Sequence, residues 1–513
     1  MKTIKFKYLY GLVSLFLVLF YACKDDLSSL DTNKLPNVIV DTVGNSKLTV
    51  FQFDKLTLDP KVNLETINDR TFKYEWTINI EPSSTEYIVI GNQKKLDYQV
   101  SFVPTSIDRP HQLVLKITDE KSGIEYIQDW PLQIRNGIGE GIVVVETYDN
   151  TNTDISHIMS PLVTPDFNQD KIRYKIYSSV NGAPISGLVN SMVYTKLRSN
   201  NVLLAGTNNN LLSIKTLDYS AGDQRENLFY APQSSYSTGF LGKVVQNDIY
   251  VSEGKIYSNW LEISKFGLPN ANNYTIPNII AINSRYDYPN IVLNFYSEDK
   301  GHFAYQSSFA SFGDRTMRPV PSSAGVFNPN QLPNKKNIAA SVNNQGDFLH
   351  LLKDKTTNKY GLWILSAGGY DSENWVITPS NPKKYVDLSN APEIDQATQF
   401  AFLDNQQTFF YATKTKIYAV IYAATNPSFG LRYTAAANEE ITSLKMYYQA
   451  DYPLVSRDFF SKNGKQLILG TYNGTEGKVH VLPIINEGVG TIDQTNIKTY
   501  TGFGKILFTT TQL

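Results

Sequence analysis

The residues that could do chemistry are few and scattered. Five histidines, His111, His157, His302, His350 and His480, stand singly. None belongs to a His-Glu-x-x-His or an i, i+4 pair, so no helical zinc-hydrolase constellation exists and each is expected to be structural. One cysteine forbids an internal disulfide and any Cys-x-x-Cys zinc or redox site. There is no Gly-x-Ser-x-Gly elbow, no Gly-x-x-x-x-Gly-Lys-Ser/Thr phosphate cradle and no Ser-x-Asp-x-Gly-x-x-Trp box, which removes the local signatures of an activated serine, a nucleotide site and a sialidase-type enzyme. Asp166-Phe167-Asn168-Gln169-Asp170 imitates the start of a calcium loop. It lacks the glycine at the sixth place and has Tyr177 where an acid should close it, so it reads as a solvated turn. The 48 Asp plus Glu would allow a spatial carboxylate pair for glycoside hydrolysis, but nothing selects any two. The expectation is no catalytic residue, no metal ligand and no cofactor.

Aromatic surface remains. With 33 Tyr and 5 Trp, some rings must lie outside the core, where rings beside polar groups stack on sugars or peptides. The ligand-binding candidates are Tyr370 and Trp375, in the polar stretch Gly369-Tyr370-Asp371-Ser372-Glu373-Asn374-Trp375, with Tyr286 and Tyr288, and Trp260 at the end of a hairpin. Trp363, inside Gly-Leu-Trp-Ile-Leu, is expected in the core, as is Trp76, whose neighbours two places away are apolar.

Charge and length narrow the class. A balance of 47 basic against 48 acidic side chains offers no field for a phosphate backbone, so no nucleic-acid partner is expected. A chain that is 42% hydrophobic and 19% charged is neither disordered nor polytopic in a membrane. Residues 1–22 carry Lys2, Lys5 and Lys7 and then the uncharged apolar run Tyr8 to Ala22, shorter than the roughly 20 residues of a spanning helix and suited to a cleaved signal peptide. Cys23 follows Phe20-Tyr21-Ala22 at once. This resembles a bacterial lipoprotein signal, which implies that Cys23 is acylated and tied to outer-membrane lipid, since stable anchoring needs more than one chain. Lys24-Asp25-Asp26 is similar to the Bacteroidota signal that sends lipoproteins to the outer face of the outer membrane. Residues 23–36 then form an acidic, polar tether.

Residues 37–136 have period two. Phe72 to Ile80 alternates five apolar with four polar residues, the mark of a strand with one buried face. Similar runs at Leu48–Phe53, Leu56–Leu58, Tyr87–Ile90, Leu96–Phe102, Leu113–Ile117 and Ile124–Ile134 predict about seven strands and an Ig-like sandwich. Phe-Lys-Tyr-Glu-Trp-Thr-Ile and Leu-Val-Leu-Lys-Ile-Thr-Asp-Glu-Lys-Ser-Gly-Ile-Glu-Tyr resemble PKD domains, although Ile78-Asn79-Ile80 stands where Gly-Asp-Gly usually follows the Trp.

Asn136-Gly137-Ile138-Gly139-Glu140-Gly141 marks a boundary. Beyond it seven hairpin units begin at Gly141, Asn201, Asn247, Asn290, Gly346, Thr408 and Lys465. Each is an apolar run, a polar turn and a second apolar run, at a spacing of roughly 50 residues. Such sheets cannot bury both faces alone, but arranged radially they cover one another. The expected fold is all-β, with the N-terminal Ig/PKD-like sandwich followed by a seven-bladed β-propeller over 138–513; two stacked sandwiches are the rival. Gly502 to Phe508 is an orphan strand that would complete the first blade beside Gly141 to Glu146, and Glu439 to Tyr447 could form a short helix.

Taken together, the lipobox, tether, sandwich and propeller resemble the PKD-like family lipoproteins of Bacteroidota. The resemblance implies a non-catalytic cell-surface protein that binds a glycan, a peptide or a SusC/SusD-like transporter, as accessory to nutrient uptake. A propeller hydrolase or lyase acting on extracellular polymer, and a purely structural subunit, are the alternatives.

Overall fold

The computed structural model describes residues 38–41, 47–64, 70–244, 247–259, 265–270, 273–284, 291–307, 316–322, 325–371, 373–374, 376–453 and 459–513. The chain divides into two compact units, Met1–Arg135 and Asn136–Leu513, both all-β. In the first, a five-stranded sheet runs in the order Leu48–Phe51, Glu125–Arg135, His111–Asp119, Phe72–Asn79, Tyr87–Gly91. Two-stranded sheets join Lys55–Leu58 to Leu96–Gln99 and Val38–Asp41 to Lys61–Leu64. All seven predicted strands form; the pair 38–41 and 61–64 is additional. Alternation drives one face of each strand inward. Trp76 is fully buried, stacks on Trp130 at 5.6 Å and donates from Nε1 to the Gln93 carbonyl at 2.9 Å, so its polar end is satisfied in a dry core. The edge strand Tyr87–Gly91 leaves Ile88 and Val89 exposed.

The second unit is a β-propeller. Among the described residues seven antiparallel sheets follow one another along the chain. Their central hairpins, such as Gly141–Thr147 with Asn152–Met159, Asn200–Thr207 with Leu211–Lys215, and Gln466–Tyr472 with Gly477–Asn486, are the seven units read from the sequence. These strands are apolar on both sides because each sheet is covered by a neighbour on either face. The covering is direct. Leu349, Leu351 and Leu362 of the fifth blade share a cluster with Phe409, Tyr411 and Val420 of the sixth, and Ala419, Phe410 and Ile417 of the sixth meet Leu444, Leu467 and Leu482 of the seventh. Between the second and third, Phe229 packs on Tyr250, Tyr257 and Phe266 at 5.3 to 5.7 Å, each such pair contributing roughly 0.5–1.5 kcal/mol beyond its burial.

Closure comes from the far end of the chain. Lys505–Gln512 pairs antiparallel with Gly141–Thr147 and is the innermost strand of the first blade. The sequence placed this strand slightly early: Gly502 and Phe503 end the preceding strand Lys498–Phe503, which belongs to the seventh blade. Gly504 alone connects them, and a β-carbon on it would lie 2.5 Å from the Thr147 carbonyl oxygen, so no other residue fits the crossing. Glu439 to Tyr447 is not a helix. It forms the innermost strand of the seventh blade, Glu440–Met446, because cross-strand pairing with Gln466–Tyr472 outweighs local propensity. The one α-helix among the described residues is Ile176–Asn181.

Glu146 locks the closure. Its carboxylate is fully buried, accepts the Ser156 hydroxyl, and accepts the Gly504 backbone N–H at 2.5 Å. Burial pushes Glu146 up to about 7, against the lowering effect of its bonds from Ser156, Gly504 and Tyr148 and with a further push from the Asp154 charge. A carboxyl raised in the folded state contributes stability that is complete below its ordinary value of 4.5 and is lost as pH climbs through about 7. The gap corresponds to about 3 kcal/mol. Chemical denaturation of the propeller is therefore expected to show stability falling between pH 5 and about 8 by an amount of this order, and Glu146→Gln to flatten that part of the profile.

Candidate ligand-binding channel

The innermost strands Val189–Leu197, Phe240–Val244, Ala281–Ile282, Lys335–Val342, Gln399–Phe402 and Glu440–Met446, with Lys505–Gln512, line the axis of the ring. They are where the radial packing runs out and polar side chains are tolerated. A cavity of about 530 Å³ opens there, walled by the second, third, seventh and first blades. A second of about 280 Å³ continues it past the fourth, fifth and sixth, sharing Ser284, Tyr448, Tyr452 and Pro453.

Three lysines enter the larger cavity, Lys196, Lys243 and Lys445, one from each of three blades. Strand alternation explains Lys445: Leu444 on one side of it goes into the cluster shared with the sixth blade, leaving 445 on the channel. The residue is exposed to the channel yet its ammonium is walled by protein, and among the described residues it donates only to the Thr510 hydroxyl, at 3.3 Å. Desolvation lowers it to about 8, as expected for a cation taken from bulk water without a counter-charge. Lys196 meets no carboxylate among the described residues, and Lys243 lies 5.9 Å from the Tyr194 ring.

In the same cavity Tyr448 and Tyr452 stack at 4.5 Å and both donate to one carboxylate, Tyr448 to Asp404 Oδ1 at 2.9 Å and Tyr452 to Oδ2. Burial first, then the Asp404 charge, pushes the Tyr448 hydroxyl well above the usual phenol range, so it stays a donor. Asp404 thus pins the segment after the seventh blade's inner strand across the channel. It also borders a third cavity, of about 400 Å³, between the fifth and sixth blades. The turns 343–347 and 404–407, which join inner strand to second strand in these two blades, supply it with Asn343, Asn344, Gln345, Asn405, Gln406 and Gln407. Lys383 there is neutralised by Asp347 at 2.6 Å. A separate cavity of about 290 Å³ beside the second blade holds Arg198, Lys215 and Lys265, with Arg198 paired to Asp223 at 3.4 Å.

Of the residues picked from sequence, Cys23, Lys24, Asp25, Asp26, Trp260, Tyr286, Tyr288 and Trp375 lie outside the described residues. Tyr370 sits in the short hairpin Gly369–Asp371 with Val376–Thr378, inserted into the fifth blade. Trp363 is buried, as expected. The histidines are buried or half-buried in the sheets: His157 bonds the Tyr219 hydroxyl at 2.9 Å, His480 bonds Thr471 and Thr499, and His302 bonds Tyr274. Asp170 of the calcium-like turn is held by Lys498 at 2.6 Å and Tyr500 at 3.1 Å. The channel residues were not found from sequence, because they come from strands far apart in the chain and form no local motif.

Residues 23–188 match the PKD-like family. The match runs through the PKD-like sandwich and on into the first blade. None of the curated proteins compared with the chain matches it. Among solved structures the chain is similar to a quinonprotein alcohol dehydrogenase-like protein from Bacteroides thetaiotaomicron, at 12% identity and a TM-score of 0.47 over 93% of this chain and 98% of that one. It is also similar to a β-propeller domain from Myceliophteria thermophila, at 10% identity and a TM-score of 0.35 over 61% of this chain and 86% of that one.

Asp404→Ala leaves two tyrosine hydroxyls without their acceptor. Urea denaturation is expected to show a loss of roughly 2–4 kcal/mol, and proteolysis should reach the segment around residue 452 sooner than in the parent.

Proposed function

We propose that the chain is a non-catalytic binding protein, anchored by an acylated Cys23 to the outer face of a bacterial outer membrane, that holds a glycan or peptide ligand in the propeller channel. The observation that carries the reading is the channel itself: a cavity of about 530 Å³ lined by both stacked tyrosines and three lysines, large enough for one or two sugar or amino-acid units. Asp404 supports the non-catalytic part, since both its oxygens already accept tyrosine hydroxyls, which gives this carboxylate a structural task. The lysine-rich wall is also unlike the facing acids that glycoside hydrolysis requires. The PKD-like match begins at residue 23, the position of the cysteine. An accessory role beside a SusC/SusD-like transporter follows from the address and the resemblance.

A second reading has one observation in its favour. Lys445, lowered to about 8, would be a usable base near neutral pH, as a lyase acting on a uronate polymer needs. Incubation with such polymers, followed by the ultraviolet absorbance of unsaturated products, separates the two: no product is expected.

Two measurements test the proposal. Cys23→Ala is expected to move the protein from the membrane fraction to the soluble fraction and to abolish the acyl mass on the N-terminal peptide. The purified chain from residue 23 onward is expected to bind at least one member of a panel of polysaccharides and peptides, or to co-purify with an outer-membrane transporter from native membranes. Failure of all three interactions would overturn the reading.

A further inference from the structure

Cation and amide sites in the propeller are linked by shared wall residues. The cavity holding Lys196, Lys243 and Lys445 shares four residues with the cavity bordered by Asp404, and Asp404 in turn borders the amide-lined cavity between the fifth and sixth blades. At one end, Lys196 and Lys445 bring ammonium groups that meet no carboxylate among the described residues; the Lys445 bond is to a neutral hydroxyl. A desolvated ammonium such as that of Lys445, with a second ammonium lining the same cavity, is costly to the folded state, and an anionic ligand would lower that cost. At the other end, the side chains of Asn344, Asn405 and Gln406 make no hydrogen bond among the described residues and are exposed. Amides both donate and accept, which matches the hydroxyls of a sugar. Between the two ends the Tyr448 and Tyr452 pair offers an aromatic face.

We infer that the ligand is an acidic oligosaccharide, whose carboxylate or sulfate lies among Lys196, Lys243 and Lys445 and whose neutral units lie against the amides of turns 343–347 and 404–407. This rests on the binding reading above and specifies its ligand. An acidic peptide would satisfy the lysines but would leave the amide turns without a matching row of hydroxyls. The charged and titratable groups around Lys445 are Lys196 and Lys243 on neighbouring inner strands, Asp451, Tyr448 and Tyr452 on the segment crossing the channel, Tyr194 on the second blade and Asp404 on the sixth. Lys445 is lowered towards neutrality, so anion affinity falls as pH rises past about 8, when its charge is lost.

The test is calorimetry with the chain from residue 23 onward and two saccharide pairs, an oligogalacturonate with its methyl ester and a sulfated galactan oligosaccharide with its desulfated form, beside acetate and a poly-glutamate peptide. The acidic member of at least one pair is expected to bind roughly tenfold or more tightly than its neutral partner. The pair that responds tells carboxylate from sulfate. Lys445→Met, with the fold checked by circular dichroism, is expected to abolish the preference and its decline between pH 7 and 9. Asn405→Ala with Gln406→Ala is expected to weaken acidic and neutral forms by the same factor. Equal binding within both pairs overturns the acidic assignment while leaving glycan binding intact. Equal binding of oligogalacturonate and acetate overturns the saccharide part, and preference for a poly-glutamate peptide overturns the ligand class. No binding of any probe overturns the inference, and the function above then stands or falls on its own panel and co-purification.

Discussion

Every blade of this propeller is stable only because another sheet lies on each of its faces, and the constraint is satisfied all the way round because Lys505–Gln512 pairs with Gly141–Thr147. Val143, Val144 and Val145 are fully buried. They would form an open apolar edge without that strand, and the first and seventh blades would lose Ile506 from the cluster they share with Ile142, Val144, Val479 and Tyr500. The crossing is built from groups with little freedom. Gly504 is held against the Thr147 carbonyl, and its N–H is bound by a buried carboxylate. Placing an acid here makes closure sensitive to protonation, because a buried carboxylate with neutral donors is stabilised less than its acid form.

The same radial packing frees the axis for chemistry. Apolar residues of the second and third strands of each sheet carry the interfaces, so the inner strands can place Lys196, Lys243 and Lys445, and the turn after Gln399–Phe402 can place Asp404, on the channel without breaking the core. The cost falls on the side chains themselves, as desolvation of Lys445 shows. Two enclosed carboxylates have been given partners: Asp404 has two tyrosines, and Asp119 of the sandwich has Arg70 and Ser122. Lys196 and Lys445 meet no carboxylate among the described residues, which is why that wall reads as a seat for something brought from outside.

Architecture was largely legible in the sequence. The seven hairpins could be read because their strands are apolar on two faces and separated by polar turns, and the sandwich because its strands alternate. What escaped notice were the inner and outer strands of the blades, where one edge is wet and the pattern is broken. Lys445 shows this well: in Ser443-Leu444-Lys445-Met446-Tyr447 a single charge in an apolar run suited a short helix as much as a strand, and only pairing with Gln466–Tyr472 settles it. The site was less legible still. Trp375, Trp260, Tyr286 and Tyr288 were chosen for aromatic rings in polar loops, a local criterion. The channel is assembled instead from Lys196, Lys243, Asp404, Lys445 and Tyr452, residues whose neighbourhood exists only once the ring is formed.

The order in which the chain is made gives the closing strand a further meaning. Gly141–Thr147 leaves the ribosome far ahead of Lys505–Gln512, so during synthesis the nascent first blade carries a valine-rich edge with no partner. Contacts this distant in sequence form slowly, and an unpaired apolar edge is a template for aggregation. Until the last strand arrives, the growing chain folds cleanly only while it is kept apart from its copies.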